Sequence, residues 1–64
     1  MKKLYYFWLD DQKHFDKNNP LSAGNFSNSI QARRLAKRLL ILHKDANWCQ
    51  YMAENGRKVY QENK

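Results

Sequence analysis

Sixty-four residues carry twelve Lys or Arg against six Asp or Glu, for a formal net charge of +6. A chain this short holds one domain with a marginal core, and natural chains of this size lean on disulfides, a metal, a partner subunit or very tight packing. The single cysteine, Cys49, excludes an internal disulfide and fits a reducing compartment; His14, His43 and Cys49 share no metal-ligand spacing, so no metal and no cofactor is expected.

The apolar run Leu4 to Leu9 follows Lys2-Lys3 and stops at Asp10-Asp11. It is too short for the core of a signal peptide or for the ~20 apolar residues of a membrane span, so a cytoplasmic protein with no membrane partner is expected. Its aromatic content and length predict a strand over about 3–9. Alternation places Leu4, Tyr6 and Trp8 on one face and Tyr5, Phe7 and Leu9 on the other, so both faces are apolar. Such a strand either lies centrally or turns its second face to a partner.

Residues 10–27 are rich in turn formers (Asp10-Asp11, Asp16 to Pro20, Ser22 to Asn25) and read as a long loop, with a short strand around His14-Phe15 as a weaker alternative. Phe26 stands where a hydrophobic staple would precede a helix, and Asn28 with Gln31 three residues on has the spacing of a capping box. A helix is predicted over about 28–43. Ala32, Leu35, Ala36, Leu39, Leu42 and His43 recur at three-and-four spacing and form its apolar stripe, with Ile30 and Ile41 lying instead among the cations.

The final segment, about 48–62, reads as a hairpin around Asn55-Gly56, a pair suited to a type I′ turn. That register sets Glu54 opposite Arg57, Met52 opposite Val59 and Tyr51 opposite Tyr60. One face holds Trp48, Gln50, Met52 and Val59 and is expected under the helix; the other holds Cys49, Tyr51, Ala53, Lys58 and Tyr60. The expected fold is therefore α+β: β-α-β-β in one domain, a three-stranded antiparallel sheet of order 1-3-2 with one amphipathic helix on one face.

Charge is concentrated on the helix. Arg33, Arg34, Lys37, Arg38 and Lys44 occur with no carboxylate between residues 28 and 44. Like charges at Arg33/Lys37, Arg34/Lys37 and Arg34/Arg38 cost some helix stability unless an anion neutralises them, whereas an ordinary solvated face mixes both signs. A second candidate surface is the sheet face left open by the helix, where Tyr5, Tyr51 and Tyr60 with Lys58 would form an aromatic and basic platform. The plain alternatives are a solvated basic face and tyrosines that close a core or a dimer seam. No catalytic residue is expected: His14-x-Asp16 and Asp10-Asp11 are the only polar clusters, and neither has a nucleophile nor a phosphate-cradling glycine pattern beside it.

The leading expectation is a small non-catalytic binding protein that engages nucleic acid through the basic helix face. The alternative is a protein-interaction module of the phage or mobile-element type, which dimerises or docks a host protein through its aromatic sheet face; an acidic protein is the other partner expected for the basic helix.

Overall fold

A computed structural model describes residues 2–10 and 20–64. The strand alternative around His14-Phe15, the His14/Asp16 pair and Asp11 lie outside the described residues. The elements in chain order are β1 (Lys3–Leu9), β2 (Ser22–Phe26), α1 (Ser29–Leu42), β3 (Trp48–Ala53) and β4 (Tyr60–Asn63). The four strands form one antiparallel sheet of order β2-β1-β3-β4, with α1 across one face and chiefly over β3.

The fold class stands as α+β with one helix, and two parts of the expected topology are corrected. The sheet has four strands rather than three, because Ser22–Phe26, expected within a loop, pairs with β1 from Lys3↔Phe26 to Phe7↔Ser22. The first strand then lies beside β3, not beside the last strand. Both corrections have one cause. Strands joined by a helical crossover run parallel, and a three-stranded reading has to separate them with the last strand to keep the sheet antiparallel. The extra strand moves the crossover to β2-α1-β3, and β1 itself separates that parallel pair. The first strand is thus central in the sheet, with Tyr5, Phe7 and Leu9 in the core under the helix and Trp8 of the other face 1% exposed.

The helix starts where local chemistry predicts. The Asn28 side chain accepts from the Gln31 backbone N–H at 3.0 Å, and the Gln31 side chain reaches back to accept from Ser27 N–H at 3.1 Å. Phe26 closes β2 two residues before the cap, so it does not sit at the staple position. At the other end, His43 N–H donates to the Leu39 carbonyl, and the Lys64 ammonium donates to the His43 and Lys44 carbonyls at 3.1 and 2.9 Å. The carbonyl of the cap residue and the next one beyond it are thus tied to the residue that follows β4, and Ala46 N–H also donates to the His43 carbonyl.

Beneath α1 runs an aromatic ladder that crosses all four strands. Phe26 meets Phe7 edge-on at 5.9 Å between centroids, Phe7 stacks on Tyr51 at 5.6 Å, and Tyr51 stacks on Tyr60 at 5.4 Å. The last two are directly opposed pairs, Phe7↔Tyr51 and Tyr51↔Tyr60. Gly24 is part of this arrangement: a Cβ there would fall 2.9 Å from Cε2 of Phe26, so any other residue would make the ring shift from where it lies over the edge strand. Buried Ala32, Ala36, Leu39 and Leu40 complete the core from above. Two fully buried alanines one turn apart let the helix backbone approach the rings closely.

This packing overturns the expected helix-facing side of the hairpin. Cys49 and Tyr51 are buried against α1, together with the partly buried Ala53 and Tyr60, while Val59 is exposed outside any strand. Phe7 and Leu9 of β1 set the choice, since their register partners Tyr51 and Cys49 must share their face. The apolar stripe of the helix is rotated accordingly. Leu40 is buried and Leu42 is 67% exposed, so Leu42 does not belong to the core.

The hairpin keeps its register, Tyr51↔Tyr60, yet loses its expected turn. No described residue has positive φ, which a type I′ turn requires at both central positions. Instead Gly56 N–H donates to the Ala53 carbonyl at 3.0 Å, which centres the turn on Glu54-Asn55. Glu54 N–H donates to the Leu4 carbonyl at 2.8 Å, so the bonding of β3 to β1 runs up to this turn, which falls one residue earlier than expected.

Candidate functional site

The helix positions its cations on the side away from the sheet. Ile30, Arg34, Lys37 and Ile41 follow a four-three-four spacing and line up along one outward stripe, with Arg38 one turn beyond Arg34. All five are exposed, Ile30 by 70% and Ile41 by 75%. Among the described residues no carboxylate pairs with Arg34, Lys37, Arg38 or Lys44. Among the described residues, like charges one turn apart therefore stand along the helix with no carboxylate partner.

Arg33 behaves differently from its neighbours. Its Nε donates to Glu62 of β4 at 2.6 Å and its Nη2 to the other carboxylate oxygen at 3.4 Å. The hydrogen bond and charge of Glu62 raise the guanidinium pKa above its usual value. Arg33 fastens the helix to the edge strand, which removes it from the set of cations available to a ligand. Lys44 lies beyond the helix, with its carbonyl occupied by Lys64 and its side chain in solvent.

The aromatic platform is likewise redistributed. Tyr5 and Tyr51 are 5% and 3% exposed beneath the helix, so neither belongs to an open face. Burial, followed by the charge of Glu62, raises the Tyr51 phenol above its usual pKa. Tyr60 is half-buried at the end of the ladder, and the Lys58 ammonium sits 5.0 Å above its ring. The three tyrosines are core-forming on the very face where the helix packs, which joins the basic and aromatic groups in one half of the molecule instead of on opposite sides.

Other polar groups are structural. Asp10 accepts from the backbone N–H groups of Asn47 and Trp48 at 2.7 and 3.3 Å and from the Asn47 side chain at 3.1 Å, clamping the entry to β3. Desolvation pushes its pKa up, but these donors together outweigh it and hold the carboxylate below its usual range. The Cys49 thiol is fully buried, and burial pushes its pKa up to about 12. A thiol so placed is inert as a nucleophile. Among the described residues no three His, Cys, Asp or Glu side chains gather to hold a metal ion, and no helix is long and apolar enough to cross a membrane.

A groove of about 380 Å³ runs between α1 and the edge strand β2, lined by Phe26, Gln31, Arg34, Leu35 and Arg38. It combines an apolar floor with two guanidinium groups. Another, of about 350 Å³, lies on the β4 side and is lined by Lys37, Leu40, Ile41, Glu62, Asn63 and Lys64. Sequence reasoning identified Arg34 and Arg38 but not their neighbours in the first groove. The signal for Phe26 and Gln31 lies in the capping pattern, which by itself points only to the helix start.

No family model matches the chain, and no curated protein or solved structure shows a significant match to it.

Proposed function

We propose that this chain is a non-catalytic binding module whose outward helix face engages nucleic acid. The observation that carries the reading is the row Arg34, Lys37 and Arg38, exposed on one helix without a carboxylate partner among the described residues. Their mutual repulsion weakens an isolated helix slightly and is relieved when phosphates replace water and counterions around them. The helix is also the element best able to hold such a row rigidly, since its inner side is anchored on the aromatic ladder. Contacts of this type fix position and carry little sequence information, so weak sequence preference follows.

Charge reversal at two positions tests the reading. Arg34→Glu with Arg38→Glu should abolish nucleic-acid binding at low salt while leaving the thermal unfolding midpoint in place, because neither residue contributes to the core. Ile30→Ser with Ile41→Ser should leave binding largely intact.

A second reading, an acidic protein partner, is favoured by the exposure of Ile30 and Ile41 within the cationic stripe. Two aliphatic anchors among cations suit an amphipathic acidic segment. Under that reading the isoleucine changes abolish complex formation and nucleic acid does not compete.

A further inference from the structure

The two grooves that flank α1 differ in what they offer an anion. The groove on the β4 side includes Glu62, whose carboxylate repels a phosphate and is already engaged by Arg33. Among the described residues the groove on the β2 side has no acidic lining residue, and its cations Arg34 and Arg38 stand one helical turn apart. Its floor is the side of Phe26 and Leu35, both only partly buried although they pack against the core. Gln31 lies at one end with its side-chain oxygen fixed by the Ser27 N–H, which leaves its amide NH2 as a donor of set orientation.

We infer that this groove seats an unpaired nucleobase, with the base against Phe26 and Leu35 and the flanking phosphates on Arg34 and Arg38. The occupant would then be single-stranded nucleic acid. The inference rests on the nucleic-acid reading above and adds its strandedness. A duplex buries its base faces in the stack and presents phosphates and base edges, so it offers no flat base face to an apolar floor between two guanidinium groups. An unpaired base uses both: every base has a face that packs on an aromatic ring, and the phosphates on either side meet the cations. The Gln31 amide can donate to a base carbonyl or to a flanking phosphate oxygen at the end of the groove. Gly24 acts as a positioning residue, since a Cβ there would meet the Phe26 ring at 2.9 Å and displace it.

The test uses the full chain and three probes of equal length and charge per strand: a short oligothymidine, its duplex with oligoadenine, and an abasic strand with the same phosphates and no bases. The inference expects the wild-type chain to bind oligothymidine roughly tenfold or more tightly than either other probe, within the range that one base–aromatic stack contributes. Phe26→Leu should bring oligothymidine affinity down to that of the abasic strand. The comparison among probes is made on unaltered protein, so it decides the matter even if Phe26→Leu fails to fold. Equal affinity for the three probes overturns the seated base while leaving the basic face as a phosphate-binding surface. Binding to none of them at low salt overturns this inference and the nucleic-acid reading together, and binding of polyglutamate in that case identifies a protein partner.

Discussion

The inward and outward sides of α1 are made from residues of different kinds, and they answer to different forces. Inward, Ala32, Ala36, Leu39 and Leu40 are small or aliphatic and buried, and they set how closely the helix lies on the Phe7–Tyr51–Tyr60 ladder. Outward, Ile30 and Ile41 are left in water among Arg34, Lys37 and Arg38, an arrangement that gains nothing for the isolated domain. Arg33 stands at the boundary, where its pairing with Glu62 makes it the one cation of the helix face that serves the fold. Stability and the proposed binding fall on different sides of one helix axis, and substitutions on the two sides should read out different properties.

The largest effect expected is at Leu40. Leu40→Ala removes a buried side chain from a domain with little core to spare and should cost about 2–5 kcal/mol, enough to unfold much of the population. Leu42→Ala, two residues on and exposed, should stay within about 0.5 kcal/mol. Denaturant titration of both variants sharpens the contrast; equal losses would mean that the stripe faces Leu42 and that the helix is rotated from its observed position.

The next effect is a pH dependence at Asp10. Its folded pKa is lowered, so the stability it contributes is present above the unfolded value of about 4 and is lost as pH falls through the folded one. Asp10→Asn should be less stable than wild type near neutrality, and the gap should close through the acid range. A gap that does not change with pH would show that the Asn47 and Trp48 donors do not act on an ionised carboxylate.

A smaller change in stability, and a large one in reactivity, is expected at Cys49. With the thiol pushed up to about 12 and fully buried under the inward face, the folded protein should resist a thiol-modifying reagent at mildly alkaline pH. Modification should follow the rate of opening and become rapid in denaturant. Fast labelling of the native chain would mean that the helix does not seal the core.

Much of this was legible where the determining interactions are local. Asn28 and Gln31 placed the helix start, and the spacing of Tyr51 and Tyr60 about Asn55-Gly56 gave the observed register even though the turn itself closes one residue earlier. Ser22–Phe26 was illegible because Ser-Ala-Gly-Asn-Phe has almost no intrinsic strand preference; its extended state comes from pairing with β1 and from the Phe26 ring lying over Gly24. The choice between the two faces of β3 was undetermined for a different reason. Both carry aromatic or apolar residues, and only the pairing with β1 brings Cys49 and Tyr51 beneath the helix. The same long-range contact removed Tyr5 and Tyr51 from the candidate surface, and the Arg33–Glu62 pair, twenty-nine residues apart in sequence, could not be seen from the helix alone. Arg34, Lys37 and Arg38 were recoverable because an uninterrupted run of one charge sign at helical spacing needs no tertiary information.

The central claim, that the outward face of α1 binds a phosphate backbone, is tested most directly by the salt dependence of affinity. Fluorescence anisotropy with a labelled oligonucleotide across a salt series should give a linear fall of log affinity with log salt. Three cations predict a slope of about −2 on a single strand and about −2.7 on a duplex. Reversal of Arg34 and Arg38 should remove the interaction altogether. No binding at low salt, or binding whose slope the reversal leaves unchanged, would contradict the account.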